Sequence, residues 1–321
     1  MKFITIGADP EFLVLDPKGQ PYPATLFAVG TKDSPSPITS LGRGFFEQRD
    51  NLAFEGNIPP VDNREDFILS MKALRQYFEN KVGRVGYSLS PNGVEYFAKR
   101  YLVTPEGMEF GCSSVIDSWA SRYIDTSNSE VVSRATPVLE YKNFRVAGFH
   151  IHIGYDNPVP GFKKDIFDVL IGRLFDIFLT LPSNEIKFER ERVSTYGRFG
   201  MIRSKSYGVE CRSLSAYFTQ EAYLGWIWDQ LMKLESFINS CSIQQLIRFF
   251  SLNGIFGTSL DYFKVRLKEV IVQDIFNDNK ELINSFEEIK KIYEYKTTSA
   301  SHGNYGYDKY LVTTSSTSSS Y

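Results

Sequence analysis

The amino-acid sequence predicts an α+β protein, with an antiparallel sheet that keeps one face for polar groups and helices that pack against it. Two patterns predict this. Four extended segments each carry two polar side chains at i and i+2: Asp9 with Glu11, Glu55 with Asn57, His150 with His152, and Glu210 with Arg212. In a strand such positions project to the same side. Other stretches, at residues 64–82, 162–181 and beyond 221, repeat apolar residues at helical spacing, which calls for helices buried against a core.

Bulk properties bound the possibilities. A chain of 321 residues with 42% hydrophobic residues can bury a sizeable core. Its 36 basic and 38 acidic residues leave a formal charge of -2, which offers no footprint for nucleic acid or an anionic membrane. Cys112, Cys211 and Cys241 are odd in number and have no C-x-x-C spacing. Neither a disulfide framework nor a zinc ribbon is indicated, and a reducing cytoplasm is the expected setting. Residues 3–6 are ended by Gly7 and Asp9 before they reach signal-peptide length. Residues 166–181 include Asp168, Arg173 and Asp176 and are too short to span a bilayer. No membrane anchoring is expected.

Residues 2–15 alternate as a strand does, and residues 16–19 supply turn chemistry before a second extended piece at 22–27, so the chain should open with a hairpin. Pro10, between Asp9 and Glu11, cannot donate to a ladder and belongs at an edge, a strand end or a bulge. The two carboxylates are then either solvated edge groups or a functional pair. Residues 30–48 read as a loop. Residues 50–58 form the next strand, stopped by Pro59 and Pro60. A helix over 64–82 buries Phe67, Ile68, Met71, Leu74, Tyr77 and Phe78, and residues 85–89 and 94–97 read as strand, turn, strand. Cys112, in a loop, is expected to be a buried small hydrophobe.

The segment 144–155, F-R-V-A-G-F-H-I-H-I-G-Y, places His150 and His152 on one face and Phe149, Ile151 and Ile153 on the other. A lone histidine in such a run is more often a satisfied core residue. Recurrence of the period-two pattern is what sets this pair apart. A long helix over 162–181 follows, and the charged segment 185–192 reads as a solvated helical face. Residues 196–214 interleave three glycines with Arg198, Arg203 and Lys205 before reaching Glu210 and Arg212. Glycines let backbone approach a ligand, and arginine forks match phosphate or carboxylate oxygens. The stretch is an anion site or, alternatively, a glycine-rich hairpin with ordinary surface bases. Cys211 points to the opposite, apolar face. Helices at 223–238 and 241–250, with Trp226 and Trp228 packed in the first, lead on to residue 295. Residues 296–321 read as a flexible Ser/Thr/Gly/Tyr-rich tail that contains His302.

If the four segments share one sheet, a single face holds four carboxylates, two imidazoles and a guanidinium, with Arg198, Arg203 and Lys205 nearby. Such a face is costly unless cations and an anionic ligand neutralise it. Hard carboxylate oxygens suit Mg²⁺ or Mn²⁺, and these ions take a nucleotide's phosphates as further ligands, so ATP chemistry is expected. There is no Walker A sequence, and no G-x-G-x-x-G follows a strand. The sheet, rather than a helix N-terminus, would hold the nucleotide.

In order and type these motifs resemble those of the glutamine synthetase-like carboxylate-amine ligases, which include the glutamate-cysteine ligases. G-A-D-P-E-F, E-G-N-I-P-P, F-G-C, H-I-H-I-G and Y-G-x-x-G-x-x-R-S-K-S-Y-G-V-E-C-R-S-L are similar to those of amidoligases encoded by tailed phages. The resemblance covers residues 5–220. It implies a curved antiparallel sheet with the active site on one face and helices on the other, in a single catalytic domain over 1–295 whose part beyond 221 is helical. It also implies ATP-dependent formation of an amide or isopeptide bond through an acyl phosphate, from small-molecule or peptide carboxylate and amine substrates. Asp9, Glu11, Glu55, His150 and Glu210 match metal positions. His152 matches a position near the transferred phosphate or substrate. Arg198 and Arg203 match phosphate-neutralising positions, with Lys205 beside them, and Arg212, with Asn57, faces substrate. Asp9 departs from the glutamate usual at its position and precedes a proline. No specificity pocket of the better-known ligases is recognisable. An H-x-H metallohydrolase is a rival, but Zn²⁺ would want further His or Cys ligands, and the third histidine lies in the tail. A non-catalytic structural or binding protein that keeps the fold is another.

Overall fold

In a computed structural model the described residues are 3–108, 115–119, 133–134, 143–193 and 197–250. The chain divides into two units, Met1–Asn253 and Gly254–Tyr321. All described residues belong to the first. Cys112, the helices expected between 251 and 295, and the tail with His302 lie outside them.

The protein is α+β. Ten strands form an antiparallel sheet: β1 Phe3–Phe12, β2 Gly30–Thr31, β3 Ser34–Pro37, β4 Phe46–Asp50, β5 Ala53–Val61, β6 Val115–Asp117, β7 Ser133–Arg134, β8 Phe149–Tyr155, β9 Met201–Lys205 and β10 Gly208–Cys211. Their order across the sheet is β7-β6-β9-β10-β8-β1-β5-β4-β3-β2. The four segments with polar pairs are therefore contiguous: β10, β8, β1 and β5 lie side by side.

Register puts the pairs opposite one another. Asp9 faces His150, Glu11 faces Glu55, and His152 faces Glu210. The other side of the same strands is apolar, with Ala8, Phe12, Phe54, Phe149, Ile151, Ile153, Ile202, Val209 and Cys211 all buried. Helices pack there. Helix α1, Arg64–Gly83, sets Phe78 against Phe12 and Phe54 at ring separations of 5.4 and 4.7 Å. Its N-cap Asn63 accepts a hydrogen bond from Asp66 N, which satisfies one of the first-turn donors. Helix α2, Lys164–Phe175, lies so close to β9 that a Cβ at Gly172 would sit 2.5 Å from Ile202. Helix α3, Glu221–Ser240, packs Trp228 on Phe67 of α1. Among the described residues no helix is long and apolar enough to cross a membrane.

Several local expectations change. Residues 30–48 are not a loop throughout, because β2, β3 and the start of β4 extend the sheet. Pro10 is in the interior of a central strand. Pairing of β1 with β5 runs from Ala8↔Ile58 to Glu11↔Glu55, and Asn57 Nδ2 donates to Asp9 Oδ1 at 2.6 Å in between. A side-chain bond thus spans the place where proline has no N–H to give. Pro59 and Pro60 do not stop β5, which continues to Val61. The register changes there by one residue, from Ala8↔Ile58 to Ile6↔Val61, so a bulge absorbs both prolines. The opening hairpin is made by Val14–Leu15 with Pro21–Tyr22 after β1 has ended, and Ala24–Leu26 is a short 3₁₀ turn. Val94–Tyr96 pairs with Phe144–Val146, while Ser88–Leu89 pairs with Val14–Leu15. The predicted strand over 144–155 is thereby two strands.

The helix expected over 162–181 gives way after Phe175 to a π-helical turn, Asp176–Thr180. There the buried Asp176 carboxylate accepts from Trp119 Nε1 at 2.6 Å and from Gly200 N at 2.5 Å. The segment 185–192 is a solvated face only in part: Ile186, Phe188 and Arg190 are exposed, but two of its charges are buried. Arg192 is buried and donates to the carbonyls of Ala147, Arg212, Ser213 and Leu214, and Glu189 is buried and accepts from Gly93 N and Ser215 Oγ. Its charges tie the end of β10 to the turn before β8.

Candidate active site

The polar face has a carboxylate pole and a cationic pole, and the two histidines lie between them. At the first pole Glu11 and Glu55 stand opposite each other on β1 and β5, both buried. Glu11 Oε2 accepts from Gly148 N at 2.6 Å, and Glu55 Oε2 accepts from Gln48 Nε2 at 2.6 Å. Asp50, two residues along β4 from Gln48, is also buried and pairs with Lys32 at 2.9 Å. Burial, followed by Asp50, pushes Glu11 up to about 7. Burial and then the charges of Asp50, Glu11 and Asp9 push Glu55 well above the usual carboxylate range. Lys32 sits on Asp50 and, with Arg212, only partly offsets the carboxylates' mutual repulsion and burial. Full ionisation of both glutamates needs a further cation.

At the other pole Glu210 gathers cations from two adjacent strands. Arg212 donates to its Oε1, while Lys205 Nζ and Arg203 Nη1 lie 2.9 and 3.4 Å from its Oε2. Burial pushes the Glu210 carboxyl up, but Arg212, His150, His152 and Arg203 together outweigh it and hold the group below the usual range. Arg198 has its Nε 3.4 Å from Met201 Sδ.

His150 is buried between the poles, with Nε2 3.5 Å from Glu11 Oε1 and Nδ1 3.8 Å from Glu210 Oε1. Burial and then Arg212 push its pKa well down, so the imidazole is neutral. Its Nδ1 is buried without a hydrogen-bond partner. His152 has Nε2 buried 2.8 Å from Asp9 Oδ2, an ion-pair contact whose geometry is not that of a hydrogen bond. Its Nδ1 meets the Tyr207 hydroxyl. An unpaired buried nitrogen is a lone pair or N–H held ready for something else.

The structure thus unites Asp9, Glu11, Glu55, Asn57, His150, His152, Arg203, Lys205, Glu210 and Arg212 on one face, as the period-two pattern requires. Asp9 and Glu11 are not solvated edge groups, and neither histidine is a satisfied core residue. The donors do not converge, however. Among the described residues no group of three or more His, Cys, Asp or Glu side chains stands where it could hold a metal ion.

Sequence reasoning overlooked Gln48, Asp50 and Tyr207. The first two repeat the period-two signature within F-E-Q-R-D, but Gln48 closes the loop-like composition of residues 30–48 and Asp50 opens the strand expected over 50–58, so the pair falls across a boundary. Tyr207 is in the β9–β10 turn, and no local pattern connects it to His152.

The chain matches no family model and no curated protein.

Proposed function

We propose that the protein is an ATP-dependent carboxylate-amine ligase that activates a carboxylate as an acyl phosphate and transfers the acyl group to an amine. The observation that carries the reading is the division of one sheet face into a buried carboxylate pole and a partly buried cationic pole with imidazoles between them. Phosphoryl transfer calls for neutralised oxygens and fixed orientation more than for a dedicated acid or base, and this face is arranged to give both.

The residues suit Mg²⁺ or Mn²⁺. Glu11 and Glu55 are hard oxygen donors in a pole short of positive charge, and His150 offers a neutral imidazole whose Nδ1 has no partner. Glu11, Glu55, His150 and Glu210, with Asp9 at the margin, would hold the ions, which when bound supply charge neutralisation for ATP phosphates. To reach that state Glu11 must leave Gly148 N, Glu55 must leave Gln48, and Glu210 must release some of its cations.

Arg203, Lys205 and Arg212 turn from Glu210 toward anionic oxygens, Arg203 and Lys205 to the phosphates and Arg212 to the substrate carboxylate or acyl phosphate. Arg198, on the approach to β9, adds a further cation. A substrate carboxylate oxygen attacks the γ-phosphorus, the bond to the β,γ-bridging oxygen breaks, and ADP leaves. The amine, having given its ammonium proton to solvent, then attacks the acyl carbon, phosphate departs with the C–O bonding pair, and the surplus N–H proton passes to the departing phosphate, while His152 orients the transferred group. Asn57 and Arg212 flank the substrate.

The test is ADP release by the purified protein with ATP and Mg²⁺ across pools of acids and amines. Amide formation dependent on acid and amine, lost in Glu210→Ala and His150→Ala, supports the reading. Absence of nucleotide binding, together with unchanged metal affinity in those variants, would sink it. Thermal stabilisation by Zn²⁺ alone would favour a hydrolase instead.

A further inference from the structure

Beside the histidines the sheet face opens into a cavity of about 570 Å³, within the size range of small-molecule sites. One end of it is formed by Asp9, Asn57, His152 and the Tyr207 ring. The remainder is bounded by Ala8, Pro35, Phe46, Ile58 and Pro60, by the backbones of Gly7, Gly44 and Gly154, and by Thr5, which adds one hydroxyl. It is thus a polar end joined to a mainly apolar chamber.

The charges around it are one-sided. Among the described residues that line it, the single formal charge is the Asp9 carboxylate, and none is arginine or lysine. Arg203, Lys205 and Arg212 all stand on Glu210, across His152 from the cavity. An anionic substrate entering the chamber would meet Asp9 and, among the described lining residues, no cation. The cations across His152 suit the carboxylate substrate and the phosphates, which leaves the cavity to a group that is cationic or neutral at one end and apolar at the other.

Resting on the ligase reading, we propose that this cavity is the amine-substrate subsite, selective for a primary amine that bears an aromatic or branched alkyl group. The ammonium faces Asp9 and Asn57. The apolar group lies against Phe46, Ile58 and the prolines. Gly7 lines the cavity beside His152: a Cβ there would sit 3.4 Å from His152 Cβ, in ordinary contact, so a longer side chain is what would fill the space. The reacting nitrogen is then held next to His152, and the substituent is directed away from the phosphate side.

The test is a calorimetric and NMR titration of the full chain, without nucleotide, using phenethylamine, isopentylamine, ethanolamine, 3-phenylpropionate and adenosine as probes. The two apolar amines should bind roughly tenfold to a hundredfold more tightly than ethanolamine, as expected for burying a phenyl or branched alkyl group, and 3-phenylpropionate should bind no better than ethanolamine. Gly7→Leu should abolish amine binding. Phe46→Ala, at a half-exposed position, should weaken it by about tenfold, and it keeps the question answerable if Gly7→Leu does not fold. Equal binding of amine and carboxylate, indifference to both substitutions, or adenosine occupying the cavity with the same sensitivity would each overturn the assignment. Amine binding in a protein that releases no ADP would keep the subsite and remove the ligase reading. ADP release stimulated equally by ethanolamine and phenethylamine would do the reverse.

Discussion

Replacing Glu210 by glutamine removes the carboxylate on which Arg203, Lys205 and Arg212 converge. The Glu210 side chain is 2% exposed and that of Arg212 is 6% exposed, while Arg203 and Lys205 retain 29% and 28%. The last two can turn to water at little cost. Arg212 has less freedom, and the variant leaves its guanidinium buried without that carboxylate. Breaking a buried pair on one side costs about 3–5 kcal/mol. The lower figure applies here, because two of the three cations are partly solvated. A loss of about 3 kcal/mol should lower Tm by roughly 6–12 °C in a unit of this size. Because the Glu210 pKa lies below its usual value, its stabilisation is complete above pH 4.5 and fades as the pH falls through the folded-state pKa. The gap between wild type and Glu210→Gln should therefore be constant between pH 6 and pH 8 and close in acid. The assay is urea unfolding in chelator, with Glu210→Gln/Arg212→Met completing a double-mutant cycle that should recover most of the loss. Equal stability of wild type and Glu210→Gln at pH 7 would refute the cationic pole.

Asp176 should give the opposite pH trend. Burial pushes its carboxyl from 3.8 up to about 7, so the folded protein holds a proton that the unfolded chain has lost, and stability should fall as the pH rises from about 4 to about 7 by up to on the order of 4 kcal/mol. Asp176→Asn, which can still accept from Trp119 and Gly200 while donating to Ser213 Oγ, should flatten that slope in pH-dependent unfolding. Gly56→Ala places a Cβ 2.8 Å from Phe78 and 2.9 Å from Leu74 of α1, and it should destabilise by about 1–3 kcal/mol in chemical denaturation. Tyr207→Phe should leave Tm within about 1–2 °C of wild type, since the residue is half-exposed in a turn, yet it should slow ADP release by removing the hydroxyl that meets His152 Nδ1. His150→Ala should weaken metal binding, measured by calorimetry, and His152→Ala should mainly lower turnover. Equal loss of metal affinity in both would contradict the division of labour between them.

The period-two pairs were legible because strand geometry is local: any residue at i and i+2 shares a face, whatever its neighbours in space. By the same reasoning the helix over 64–82 could be read from its spacing and agrees with α1 to within a residue. Prolines misled for a related reason. Pro10 and the pair Pro59–Pro60 forbid ladder bonds at their own positions, but whether a strand ends there or bulges depends on what its partners can supply, and here Asn57 and a one-residue register change supply it. In the charged segment 185–192, Arg192 is buried because the carbonyls that accept from it come from residues 147 and 212–214, which no local pattern reveals.

Alternation, and with it the membership of the polar face, is local to each strand. The sheet order that makes β10, β8, β1 and β5 neighbours, the gathering of three cations on Glu210, and the place of Tyr207 beside His152 arise only when the chain folds. Facing is set by backbone stereochemistry within a few residues. Register, charge pairing and the cavity next to Asp9 come from strands separated by up to two hundred residues of chain, and no local pattern encodes how those meet.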